Sequence, residues 1–333
     1  MLLSKAHRLL GILEGMSQFI EDIDVIESMF IKNEALLSCQ IEGNRATVLD
    51  ILYPAKKKSK HLQETQCCIE TIEKGMRIRD EGYSNRLLCD LYKILRADDN
   101  NEIGNCYRKI QLFDIPGVFI ADRETYNPTA PEDIGAAMDD LERYIKANQG
   151  LDELIKMALI IYQFVTISPF ETENKKSGRL LIGFLLANSK VLSKNLLCFS
   201  DFIILDKIGF YDRLAGVRFA GDYKEWVKHF LKGVIFSSEK AIDTINRFVA
   251  LKEENRKKMN DLGHSDMNTI KLLEYMEKNP MTNVKTAAEG ISLSYNTTAK
   301  AINILENLGI IKQGNHLSRN RCYIYQKYID IIF

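Results

Sequence analysis

Apolar residues recur at three- and four-residue spacing along most of the chain, the period of helices that bury one face. Ile134, Met138, Leu141 and Ile145 form one such stripe, and Thr129-x-x-Glu132 with Pro131 in the first turn predicts that helix's start. Tyr211, Leu214, Val217 and Arg218 predict a second helix, and Trp226, Phe230, Gly233 and Val234 a third. Sustained strand alternation is scarce. The main body is expected to carry one short hairpin, residues 117–126, between Pro116 and Pro128. The predicted fold class is mainly α.

The pattern changes at residues 251–266, where Lys252, Glu253, Glu254, Arg256, Lys257, Lys258 and Asp261 crowd together and predict a helix end plus a linker. Beyond it, a helix with Ile270, Leu273 and Met276 should stop at Asn279-Pro280. A short helix with Val284, Ala287 and Ala288 follows, then a turn at Gly290. A longer helix, residues 294–308, is expected to end at Gly309. Two strand-like runs, 310–312 and 322–325, are separated by Gly314-Asn315. That order predicts a winged helix-turn-helix over residues 267–333. On that fold Tyr295, Asn296, Thr297 and Lys300, next to Ser294, would enter a DNA major groove. Lys312, Arg319 and Arg321 would meet phosphates from the wing. The alternative is a protein-interaction or dimerisation module, since eight Lys and Arg here face six Asp and Glu.

Composition narrows the class. The 333 residues are 46% hydrophobic and 27% charged, with 45 Lys and Arg against 45 Asp and Glu. A disordered chain, a collagen-like chain and a small disulfide scaffold are excluded. Zero net charge leaves no whole-chain argument for nucleic acid. The longest uncharged run, residues 157–170, is 14 long, against about 18 for a membrane span. With no membrane span and no signal-peptide pattern, a cytoplasmic protein is expected. Its seven cysteines are odd in number, scattered and without metal-ligand spacing, and are expected as free, small hydrophobes.

The densest chemistry lies in residues 158–186, ALIIYQFVTISPFETENKKSGRLLIGFLL. An apolar helix ends at Ser168-Pro169-Phe170, a polar loop follows, and a second apolar helix starts near Ser177-Gly178-Arg179. A loop feeding a helix N-terminus attracts anions, and Lys175, Lys176 and Arg179 add cations. The residues alone leave two readings open, a phosphate site and a plain helix–loop–helix.

This segment resembles the HPFxDGNGRxxR motif of the Fic family, helical proteins that mostly transfer AMP from ATP to a protein hydroxyl. The resemblance extends along the chain. Ser38-Cys39-Gln40-Ile41-Glu42-Gly43-Asn44 is similar to the family's inhibitory helix, S-x-x-x-E-G, placed here at about residues 34–43. Gly104-Asn105-Cys106-Tyr107-Arg108 resembles the segment leading to the target-binding flap, and residues 210–234 resemble the later helices. Many bacterial members also append a winged helix. The implied architecture is a Fic-type helical bundle with a hairpin flap and a C-terminal winged helix-turn-helix. Residues 1–100 would form an N-terminal helical region, 101–250 the Fic-like core with flap 117–126 and motif loop 168–179, 251–266 the linker and 267–333 the winged helix.

By the same resemblance ATP with Mg²⁺ would be the ligand, a target protein would bind at the flap, and Ser38, Glu42 and Gly43 would inhibit. Asn174, Lys175, Lys176, Gly178 and Arg179 would hold phosphates. The catalytic positions, however, depart from the motif. Ser168 stands where the family has its catalytic His, and Thr172 where it has the metal-binding acid. Glu173 and Lys175 replace the loop glycines and Lys176 the first arginine. No histidine lies between His61 and His229. A serine has no basic nitrogen, and losing a general base costs about 10²–10⁴ in rate. A threonine hydroxyl brings no charge to Mg²⁺. The expectation is a pseudoenzyme with weak or no ATP and Mg²⁺ binding. One alternative is a divergent nucleotidyl or phosphoryl transferase with Asn174, Lys175, Lys176 and Arg179 as a phosphate clamp and Glu171 or Glu173 as its acid or base; a rescue of AMP transfer would instead have one of these glutamates hold a metal. Another is a transcriptional regulator whose Fic-like body dimerises or senses a ligand.

Overall fold

The structure is a computed structural model, and it describes residues 1–53, 59–96, 106–112, 128–147, 150–261, 266–314 and 321–333. The expected flap hairpin, Gly104, Asn105, the Gly314-Asn315 turn's second residue and Arg319 lie outside the described residues. The chain is mainly α and divides into two compact units.

The first unit holds residues 1–21, 30–45 and 60–241. Its helices are α1 (Leu2–Phe19), most of α2 (Ile23–Ile41), α4 (Lys60–Arg77), α5 (Asn85–Leu95), α6 (Ile134–Lys146), α7 (Glu153–Ile167), α8 (Asn174–Asn188), α9 (Ser200–Leu205), α10 (Lys207–Ala220) and the first half of α11 (Tyr223–Asp261). α7 is apolar on every side: Leu154, Met157, Ala158, Ile160, Ile161, Phe164, Val165 and Ile167 are all buried. A helix without a polar face belongs at the centre of a bundle. Trp226, fully buried, donates its indole N–H to the Ala158 carbonyl at 2.7 Å and so ties α11 to α7. α2 packs against α4 through Ile31, Ala35 and Cys39 on one side and Cys68, Ile72 and Met76 on the other.

Two local expectations change. The stripe at Ile134 forms α6, but Thr129 does not cap it; a short 3₁₀ turn at Pro131–Asp133 leads in, and the Thr129 carbonyl accepts from Arg108. Cysteines 89 and 106 are joined as a disulfide, with Cα atoms 5.6 Å apart, where free thiols were expected. Scattered spacing hid the pair, because the two residues meet only when α5 is laid beside the segment that carries Arg108. Cys39, Cys67, Cys68, Cys198 and Cys322 are free.

The second unit holds residues 22–29, 46–59 and 242–333. Residues 251–261, expected as a helix end and linker, continue α11 as regular helix to Asp261. α12 (Met267–Lys278), α13 (Val284–Ile291) and α14 (Tyr295–Asn307) follow, capped by Asp266, Asn283 and Ser294. Three short antiparallel strands are ordered β1 (Met281–Asn283), β3 (Cys322–Ile324), β2 (Lys312–Gln313), with Met281 and Lys312 both opposite Ile324. β1 and the final helix α15 (Gln326–Ile332) have no counterpart in the periodicity reading. Gly290 is not the expected turn. It lies inside α13, where a Cβ would come within 2.3 Å of the Tyr275 ring, and the chain turns instead at Ser292, φ +56°. No helix among the described residues is long and apolar enough to cross a membrane.

Candidate functional site

The six residues between α7 and α8 carry the motif. The chain leaves α7 through Ser168 at φ +46° and enters α8 through Glu173 at φ +63°, both left-handed. Such a residue with a Cβ costs about 1–2 kcal/mol more than glycine would, so surrounding contacts must hold the loop. Arg108 supplies most of them. Its Nε donates to the Ser168 carbonyl at 2.8 Å, Nη1 to Ile110 at 2.8 Å, and Nη2 to the carbonyls of Thr129 and Ile167. Its backbone N–H donates to the Pro169 carbonyl at 2.9 Å. Asn174 closes the loop from the other end, its Oδ1 accepting from the Phe170 N–H at 2.8 Å and its Nδ2 donating to the Phe170 carbonyl at 2.7 Å. Phe170 is fully buried and stacks on Tyr92 with centroids 3.8 Å apart.

One helical turn into α8, Arg179 is buried and fully engaged. Nε donates to Ser38 Oγ at 2.9 Å, Nη2 to the Ser38 carbonyl at 2.8 Å, and Nη1 to Glu42 Oε1 at 2.9 Å and Tyr211 Oη at 3.5 Å. Glu42 sits just past the end of α2, in a turn where its N–H donates to Cys39 and that of Gly43 to Gln40. Gly43 has φ +88°, so glycine is what lets the helix stop with Glu42 facing Arg179. Lys207 caps the same turn, its Nζ donating to the Ile41 carbonyl at 2.6 Å. Lys175 lies over the Tyr211 ring, 4.6 Å from its centroid. Burial raises the Glu42 carboxyl, but Arg179, Lys175 and Lys207 outweigh it and hold the group below the ordinary carboxylate range. Burial pushes the Tyr211 hydroxyl up to about 12, against the pull of Arg179. Glu42 is therefore a carboxylate seated among three cations.

Glu34, two turns before Glu42 on α2, was not anticipated, although the spacing of residues 34, 38 and 42 was there to be read. It accepts from the Ser200 N–H at 3.0 Å and from the Ser200 hydroxyl, and burial raises its carboxyl above the usual range. Arg108, Tyr211 and Lys207 were also missed as site residues; single charged or aromatic residues far away in sequence carry no spacing signal.

The remaining motif residues are occupied. The Ser168 hydroxyl, 3% exposed, donates to the Val165 carbonyl at 2.7 Å. Lys176, expected at a phosphate, is buried with its Nζ 2.6 Å from Glu173 Oε2. Gly178, also assigned to phosphate, is a packing glycine: a Cβ there would stand 3.4 Å from Val165 and 3.5 Å from Phe164. Asn174 spends its amide on Phe170. The fit to Mg²⁺ is poor. Glu173 is neutralised by Lys176, Glu171 pairs with Arg96 at 3.7 Å, and Thr172 is an exposed neutral hydroxyl. Among the described residues no group of three His, Cys, Asp or Glu side chains is placed to hold a metal.

In the C-terminal unit Tyr295 is 60% exposed at the start of α14, with Asn296 and Lys300 also exposed. Thr297 is half-buried and its hydroxyl shares a 2.8 Å hydrogen bond with Ser294. Arg321 is exposed beside β3.

A bundle centred on α7 and α8, with a loop after Pro169-Phe170 and an arginine held by a glutamate from an N-terminal helix, defines a class. Residues 1–76 match the Fic/DOC family N-terminal model and residues 83–186 the Fic/DOC family model. The chain belongs to the Fic/DOC family. Its fold is similar to that of a Fic family protein from Desulfovibrio desulfuricans G20, with a TM-score of 0.63 and 17% identity over 97% of this chain and 94% of that one. A Fic domain containing signaling protein from Bacteroides thetaiotaomicron VPI-5482 is similar at a TM-score of 0.54 and 18% identity, over 72% of this chain and 97% of its own. Fic-1 (aa134–508) from C. elegans is similar at a TM-score of 0.52 and 16% identity, over 72% and 70%.

Proposed function

We propose that this Fic-family chain does not transfer AMP and acts as an anion-responsive clasp, combined in one chain with a winged helix-turn-helix that binds DNA. The observation that carries the first half is the Glu42 carboxylate seated among Arg179, Lys175 and Lys207, while the groups chemistry would need are bonded elsewhere. Arg179 is built to hold an anion, and Glu42 is the anion built in. A nucleotide phosphate from ATP would compete with Glu42 as the acceptor of the Arg179 Nη1 hydrogen bond. Glu171 and Glu173 of the loop are paired with cations and Thr172 is neutral, so this binding would not need Mg²⁺.

Calorimetric titration of ATP, with and without Mg²⁺, into wild type and Glu42→Gly tests the clasp. The expected result is binding at least tenfold tighter in the variant and indifferent to Mg²⁺. Transfer of labelled AMP by the wild type overturns the pseudoenzyme reading, and absence of ATP binding in both folded proteins overturns the clasp.

The exposed Tyr295, Asn296 and Lys300 on the first turns of α14, with Arg321 beside the strand that follows, support the DNA half. Duplex affinity should fall steeply with salt, and Lys300→Ala and Arg321→Ala should each reduce the log–log salt slope by about one. A protein that binds no duplex at low salt uses the module for a protein partner.

A further inference from the structure

We propose that the first unit contains a second ligand site, a cavity behind the motif loop that takes a small neutral amphiphile of the short-chain alcohol class. The cavity, about 40 Å³, lies among α4, α5 and α8. Its wall is mainly apolar, with Ile72, Leu88, Leu91 and Phe184 among its residues. Thr71, Tyr83, Tyr92, Ser177 and Asn195 bring polar groups to that wall, and two of them stand apart. Tyr92 and Ser177, 5% and 6% exposed, line the cavity, and the hydroxyl of each is buried with no hydrogen-bond partner.

Two such groups in one cavity are unusual, because a buried hydroxyl left unpaired costs about 1–3 kcal/mol and native interiors leave few of them. A purely apolar cavity stays dry and takes apolar guests. This one combines an apolar wall with two unsatisfied hydroxyls, so its complement is a molecule with a short hydrocarbon body and one group that both donates and accepts. At about 10–15 Å³ for each water-sized sphere, the space holds roughly three such groups. That fits an alcohol of about two carbons, at most three, and excludes a nucleotide or a sugar.

The site is distinct from the Arg179 clasp yet shares its frame. Tyr92 carries the ring on which Phe170 of the motif loop stacks, and Ser177 lies two residues before Arg179 in α8. Gly75 offers an independent way to close the cavity. A Cβ added there would stand 3.7 Å from both Leu91 and Phe184, ordinary contact distances, so Gly75→Ala reduces the space without a clash.

The test uses the full chain. Binding of ethanol and 1-propanol is followed by ligand-detected NMR and by the rise in melting temperature, with xenon as the apolar comparison. Wild type should bind the alcohols saturably. Tyr92→Phe and Ser177→Ala should each weaken that binding roughly five- to tenfold while raising the melting temperature of the free protein. Gly75→Ala should weaken alcohol and xenon together. A crystal structure grown with ethanol should place the alcohol oxygen on Tyr92 or Ser177. No saturable binding, equal affinity in the hydroxyl-deleted variants, or density showing only water at the two hydroxyls overturns the proposal.

Discussion

The Arg108 guanidinium donates to the Ser168 carbonyl at 2.8 Å, joining residues 60 apart in sequence at the point where the motif loop leaves α7. The same side chain satisfies the carbonyls of Ile110, Thr129 and Ile167, so one planar fork holds three segments. Arg108→Ala should lower unfolding free energy by about 2–4 kcal/mol, because two of the carbonyls it leaves, those of Ser168 and Ile167, are buried. Arg108→Lys should recover little, since an ammonium cannot span that fork. Urea denaturation of the two variants checks this; a lysine variant as stable as wild type would show that charge alone suffices.

Glu42 should make stability depend on acid. Its folded carboxyl lies below the ordinary value of 4.5. The contribution is therefore full above that ordinary value and disappears as the pH falls through the depressed folded one. Glu42→Gln should remove this component and cost about 1 kcal/mol at neutral pH, a modest figure because the side chain is 31% exposed and water can replace it. Parallel denaturation series from pH 3 to pH 7 would reveal it.

Glu34 should act with the opposite sign. Burial raises its folded carboxyl above the ordinary 4.5, so the folded state binds a proton that the unfolded state has released. Stability from this group falls as pH rises from the ordinary value through the raised one. Glu34→Gln keeps an oxygen to accept from the Ser200 N–H and removes the charge. It should be at least as stable as wild type at neutral pH and show a flatter profile.

Ser168→His alone should not produce AMP transfer. The left-handed backbone at residue 168, the Glu173–Lys176 pair and the neutral Thr172 all remain. A filter assay with labelled ATP and a mixture of candidate targets should read background; robust labelling by this single variant would mean that the base was the sole deficiency.

The Cys89–Cys106 disulfide anchors the segment that carries Arg108, its cysteines 17 positions apart along the chain. Closing a loop of that size stabilises by about 3 kcal/mol in the chain-entropy view. Reducing agent should lower the melting temperature of wild type by several degrees and leave a Cys89→Ser/Cys106→Ser variant unaffected. A thiol count of seven in the unreduced, denatured protein would show that the bond does not form.

The helical body was legible because its signal is local: the stripe Ile134, Met138, Leu141 became α6, and the apolar run 157–167 became the central α7. The motif was legible as a string, and Glu42, Ser38 and Arg179 do meet. What each motif residue does was not. Lys176 and Gly178 looked like phosphate ligands beside a helix N-terminus, yet one is buried against Glu173 and the other against Phe164. Helix periodicity places a side chain on a face, but the partner on that face comes from elsewhere in the chain.

By itself, then, the sequence determined the class of fold, the place of the motif loop and the serine, without a basic nitrogen, at residue 168, because helix formation and side-chain chemistry are properties of neighbouring residues. Only the tertiary structure decided that Arg108 holds the loop, that Cys89 meets Cys106, that Glu34 lies buried on Ser200, and that Tyr92 and Ser177 line one cavity. Those relationships join residues tens of positions apart. They depend on how the helices stack, and chain spacing records nothing of that.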